Sequence, residues 1–243
     1  MTSFEVWLPL GALALYLFDS TQWLYANELI FLHGGGKWRC APIPAFLVSG
    51  RRVFLPNPLT PGTPQFRVRW SESDQRDQRE DTAALASFFR ALRPVQYLVN
   101  TLLVILLVLP MELLLFGTGV ELLALMAAFY LVIIGALVVV YVRRRELGLT
   151  GRAFAALSFD ALACSPFAIN LVRKIALRRS LAGNPIEFAA GAFEPPALAG
   201  LIDAVTVRVK EDQLREDSHS PRWQELAAYQ QKLNALRTGL DNP

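Results

Sequence analysis

Leu122–Val142 is a run of 21 residues without a charge, closed at once by Arg143-Arg144-Arg145. At about 1.5 Å per residue, a helix of that length spans a hydrocarbon core of about 30 Å. Few folds other than a transmembrane helix accommodate such a segment, and the arginines that close it mark a cytoplasmic edge. A second run, Val95–Met111, is also uncharged and continues past Glu112 to Phe116. Its centre, Leu102–Leu109, is wholly aliphatic, and Pro110 and Glu112 fall near its far end, where water is close. Only Gly117–Glu121 separates the two runs, so they are expected to form a helical hairpin with spans over residues 94–116 and 121–142.

A third span is expected at residues 4–24. Its uncharged part, Val6–Phe18, is short, but Trp7 and Trp23 lie 16 positions apart, about 24 Å along a helix, as two interfacial aromatic belts would place them. A cleavable signal peptide requires a basic leader, and the first 24 residues hold no Lys or Arg, so an uncleaved anchor is expected. Charge then sets the orientation. Residues 25–93 carry ten Lys or Arg and residues 143–243 carry fourteen, which accounts for all 24. Three spans with the N-terminus outside and the C-terminus inside place every one of them in the cytoplasm.

The expected fold is thus an α-helical membrane protein with a small cytoplasmic β element at 25–70. A charged linker and interfacial helix follow at 71–93, and a cytoplasmic helical region occupies 143–243. Strand signals in the β element are Glu28–His33, Lys37–Cys40, Ala45–Val48, Val53–Leu55 and the clean alternation Phe66–Trp70. They predict one sheet of four or five strands, too small to stand alone, packed on the membrane or on the C-terminal region. Gly34-Gly35-Gly36 suits a hairpin turn better than a phosphate loop, because no helix beginning with Lys-Ser or Lys-Thr follows. Ser71–Thr82 holds no apolar residue; Ala83–Leu92 then reads as a helix ending before Pro94, which opens the second span.

In the tail, helices are expected at Arg152–Ala163, Phe167–Ala182, Ala197–Val209 and Arg222–Arg237. In Phe167–Ala182, Ala168, Leu171, Val172 and Ile175 form an apolar stripe, with Asn170, Arg173, Lys174 and Arg178 opposite and Gly183 as a stop. On this reading Leu171→Asp disrupts packing and Lys174→Ser is tolerated.

Composition narrows the chemistry. His33, Cys40, Cys164 and His219 are the only soft metal ligands, and no two share a ligand spacing, so neither metal nor cofactor is expected. No nucleophile has a base nearby, which argues against an enzyme. Asp19, Glu112 and Glu121 flank spans and read as interfacial carboxylates. The basic residues Lys37, Arg39, Arg51, Arg52, Arg67, Arg69, Arg173, Lys174, Arg178 and Arg179 are candidates for contact with anionic lipid or a partner. A net charge of +3 is explained by topology, and no nucleic-acid partner is expected. Only four of the 24 basic residues are Lys, and Ala and Leu abound, a bias associated with GC-rich bacterial genes. The expected role is a non-enzymatic, membrane-anchored interaction or accessory subunit in a bacterial inner membrane. Its expected partners are membrane lipids and either another protein or further copies of the chain. The alternative is a component of a small oligomeric transporter.

Overall fold

The computed structural model describes residues 3–41, 47–48, 50–70, 81–115, 119–179, 181 and 184–241. Parts of several expected features lie outside the described residues: the start of Ala45–Val48, the turn residue Ser49, the linker over 71–80, the loop at 117–118, and Ala182-Gly183. The side chains of Glu112 and Glu121 lie outside them as well.

The described chain is mostly helical and folds as two compact units, Met1–Gln22, Leu55–Pro64 and Asp81–Arg179 in one, and Trp23–Phe54, Gln65–Glu80 and Ser180–Pro243 in the other. The helical region expected over 143–243 is divided between these two units. Residues up to Arg179 pack with the apolar helices, and the remainder packs with the strands.

The first unit contains α1 (Ser3–Ser20), α2 (Thr82–Leu115), α3 (Gly119–Val142), α4 (Gly151–Ala163), a 3-10 segment (Ser165–Asn170) and α5 (Leu171–Arg178). Among the described residues two of its helices, over Thr82–Val108 and Leu123–Val142, are long and apolar enough to cross a membrane. In α3, Ile133, Ala136, Leu137 and Val140 are buried while Leu123, Leu131, Ile134, Val138 and Val142 are exposed. α1 ends at Ser20, and Trp23 belongs to a strand, so the expected helix over 4–24 is too long. The side chains of Ser20 and Thr21 turn back to the Leu17 carbonyl, at 2.9 Å each, and Thr21 N–H bonds to the Phe18 carbonyl, which closes the helix there.

α2 is continuous through Pro94, where two helices were expected. Proline removes one backbone hydrogen bond and strains the preceding turn. Phe88, Ala91, Leu92, Val95 and Val99, all fully buried on one face across the break, offset that cost. The expected long helix over 167–182 is instead the 3-10 segment followed by the short α5. Pro166 opens that segment as its first-turn proline.

Among the described residues the second unit holds six short strands and three helices: β1 (Gln22–Leu24, whose first residue belongs to the other unit), β2 (Glu28–Gly34), β3 (Lys37–Cys40), β4 (Leu47–Val48), β5 (Arg51–Phe54), β6 (Gln65–Arg69), α6 (Pro185–Ala192), α7 (Pro195–Gln213) and α8 (Pro221–Asp241). The strands form two three-stranded sheets, β1-β5-β4 and β3-β2-β6, where one was expected. The Gly34–Gly36 stretch is a hairpin turn, with Gly35 and Gly36 at φ 61° and 76°, values a two-residue turn between β2 and β3 requires. The core is aromatic. Phe31 meets Phe193 edge-on at 5.0 Å and stacks on Phe188 at 6.1 Å, while Trp38 contacts Phe66 at 5.3 Å and Phe188 at 5.0 Å. Trp70 stacks on Tyr229 of α8 at 5.7 Å. α7 and α8 lie within a few residues of the helices expected at Ala197–Val209 and Arg222–Arg237, and α6 falls where no helix is expected.

Candidate functional site

A group of interacting polar side chains in the first unit lies where α1, the 55–64 loop, α4, the 3-10 segment and α5 converge. Tyr16 is fully buried and its hydroxyl donates to the Pro58 carbonyl at 2.5 Å. Asn170 Nδ2 donates to the Tyr16 carbonyl at 3.2 Å and to Asp19 Oδ2 at 3.0 Å. Arg173 is 2% exposed. Its Nη1 donates to Asn170 Oδ1 at 2.9 Å, and its Nη2 donates to the carbonyls of Asn57 at 2.6 Å and Thr60 at 3.1 Å. Burial pushes the Arg173 guanidinium below its ordinary pKa, an effect opposed by Tyr16 and Asp19. Lys174 Nζ lies 2.8 Å from Asp19 Oδ1 and 3.7 Å from Asp160 Oδ2, and 4.8 Å above the Phe167 ring.

These contacts have a common logic. The four charges Asp19, Asp160, Arg173 and Lys174 sum to zero and each carboxylate faces a cation, a partner that Asp19, 12% exposed, needs more than the half-exposed Asp160. The Arg173 fork also satisfies the carbonyls of an irregular loop that no secondary structure pairs. Asn170 and Arg173 were expected on the polar, outward side of their helix, and the structure reverses this: both are buried. The expectation that Lys174→Ser is tolerated is revised for the same reason, since that change leaves Asp19 and Asp160 without their shared cation.

Next to the cluster is an apolar chamber of about 440 Å³, lined among others by Trp7, Leu15, Leu106, Phe129, Tyr130 and Cys164. Its walls come from α1, α2 and α3, and the α4 to 3-10 corner at Ala163–Pro166 closes one end. A largely apolar chamber with few polar groups suits an aliphatic ligand and offers little for acid-base or nucleophilic chemistry.

The ten basic residues singled out in the sequence divide between the units. On β3 and β6, pairing of Gly34 with Lys37, Leu32 with Arg39, Ile30 with Arg67 and Glu28 with Arg69 puts all four cations on one sheet face. Most are engaged: Lys37 with Glu194 at 2.7 Å, and Arg69 and Arg67 with the buried Glu28 at 3.1 and 4.0 Å. Arg39 is exposed on that face. Arg51 caps the Tyr25 ring at 4.8 Å, whereas Arg52 is buried against Glu211. In the first unit Arg178 reaches the Ala153 carbonyl at 3.4 Å and Arg179 lies over Phe88 at 4.9 Å. Arg173 and Lys174 belong to the buried cluster described above.

Sequence reasoning missed Asn57, Asp160 and Arg208. Arg208 of α7 is 3% exposed and donates to the carbonyls of Ala26 and Glu28, which ties the helix to the start of β2. Burial and the neighbouring Arg52 lower its pKa to about 10. The signal was present: Asp160 is the only charge between Arg152 and Arg173, and an isolated carboxylate in so apolar a stretch asks for a partner. Burial pushes the Cys40 thiol up to about 11, with Arg208 opposing, so Cys40 is protonated and inert at neutral pH. Among the described residues no group of three or more His, Cys, Asp or Glu is placed to hold a metal ion. Compared with known proteins, the chain matches no family model, no curated protein and no solved structure.

Proposed function

We propose that this chain is a multi-pass protein of a bacterial inner membrane, anchored by α1, α2 and α3 with the N-terminus outside, and that it acts as a non-enzymatic interaction subunit. The observation that carries the reading is α3, a helix whose exposed surface is apolar along its length and whose charge-free run stops at three arginines. In water such a surface would be an aggregation liability; in a bilayer it is matched by its solvent. α1, 18 residues and about 27 Å long, comes close to the thickness of a hydrocarbon core of about 30 Å.

The interaction role is supported by the second unit. An open groove of about 690 Å³ lies between α6, α7 and α8, walled by Ile186, Leu198, Ile202, Leu236 and Leu240 with Lys232 at its edge. Grooves of that character between amphipathic helices suit an apolar helix face from a partner. The second reading, a transporter component, is favoured by the Asp19–Lys174–Asp160 triad, since ionisable groups among apolar helices often lie on ion paths. Charge balance of the cluster once Arg173 is included weighs for a structural tie.

Purification in a gentle detergent separates the two. A stoichiometric second protein, lost on Leu236→Asp, is the expected result. A homo-oligomer without a second protein, unaffected by that change, would favour the transporter component.

A further inference from the structure

Residues 153–172 contain a single charge, Asp160, and their 20 positions are long enough to enter an apolar layer and return. Two observations fix where α4 runs. Near its start, Phe154 contacts Tyr141, close to the Arg143 end of α3, at 5.3 Å between ring centres. At its far end, Ala163–Pro166 line the same chamber as Leu125, Met126, Phe129 and Tyr130. α4 therefore lies antiparallel along α3, and its tip reaches a level about 20 Å from Arg143, well inside the charge-free run.

We infer that α4 and the 3-10 segment form a re-entrant element, which enters the bilayer from the cytoplasmic side, turns at Ala163–Pro166 and presents its outer face to lipid hydrocarbon. This inference rests on the proposed crossing by α3. The outer face has the required character: the exposed positions from Ala155 to Ala163 are Ala155, Ala156, Phe159, Leu162 and Ala163, with none polar. Phe159 is 73% exposed. The polar groups of the segment are satisfied locally or paired, although the Asp160 side chain is still 46% exposed. Ser158 donates to the Phe154 carbonyl at 3.0 Å, and Asp160 faces Lys174. Irregular backbone at membrane depth is tolerated where protein covers it, and Pro166, Ala168, Ile169 and Asn170 of the 3-10 segment are all buried. At the mouth, Arg152 is exposed and Arg178 holds the Ala153 carbonyl, placing two cations at the level of headgroups. The occupant is lipid because α4 shares its depth with the outward side chains of α3, so both faces meet the same medium.

The test uses the full chain in liposomes, with Cys40 and Cys164 replaced by Ser and one spin label per variant. Labels go on Phe159→Cys, Leu162→Cys, Val138→Cys in α3 and Arg145→Cys. Collision with dissolved oxygen is compared with collision with a water-soluble nickel chelate. Labels at 159, 162 and 138 are expected to favour oxygen several-fold, and the label at 145 to favour the chelate. Chelate-dominated labels at 159 and 162, with 138 still in lipid, would overturn the re-entrant element and leave the α3 crossing intact. Chelate dominance at 138 as well would overturn both.

Discussion

Arg173→Met is expected to destabilise the first unit by about 3–5 kcal/mol, because three acceptors packed around it lose a charged donor. Methionine fills much of the same volume, so the loss comes from polar groups left behind. The Asn57 and Thr60 carbonyls and Asn170 Oδ1 each lose a charged donor, and each stranded buried acceptor costs about 1–3 kcal/mol. Part of this is offset, because a desolvated guanidinium no longer has to be buried. Arg173→Lys keeps the charge but cannot span two carbonyls and an amide with one ammonium, so it is expected to fall between wild type and Met. The measurement is the thermal midpoint of the purified protein in detergent, with limited proteolysis locating the opened segment. Cleavage should appear first in the 55–64 loop.

Phe31→Ala should be as damaging, at about 3–5 kcal/mol, and in the other unit. Phe31 is fully buried in the central strand of its sheet and contacts Phe188 of α6 and Phe193 at its end. Truncation leaves a cavity in an aromatic cluster whose rings cannot easily collapse into it. The expected signature is early proteolysis within α6 to α8 while α2 and α3 stay protected. Proteolysis that spreads equally through both units would mean that they unfold as one.

What the sequence displayed follows from the kind of physics that is local. Length without charge made the α2 and α3 segments legible, an apolar run ended by glycines made β2 legible, and period-two alternation made β3 and β6 legible with the shared basic face of Lys37, Arg39, Arg67 and Arg69. Two adjacent positive-φ glycines made the β2–β3 turn legible. The cluster around Arg173 was not, because its partners are 57, 60 and 170 in sequence and mostly backbone carbonyls, which carry no sequence signal. For the same reason Asn170 and Arg173 looked like a solvated face. Amphipathic periodicity assigns polar residues to water, and it cannot recognise a polar face that packs against an irregular loop. Pro94 misled in the opposite direction: a local helix breaker was overridden by burial of Phe88, Leu92, Val95 and Val99 on either side. The division of the tail at Arg179 depends on packing between distant segments, which no local pattern reports.

The account stands on α1, α2 and α3 crossing a membrane with the N-terminus outside, and two-sided tag accessibility measures that directly. Short epitope tags before Thr2, after Trp70 and after Asn242 are probed in intact and in permeabilised spheroplasts. The expected result is a Thr2 tag reached from outside in intact spheroplasts, with the tags at Trp70 and Asn242 reached only after permeabilisation. An N-terminal tag hidden until permeabilisation would contradict the account, because α1 would then not cross.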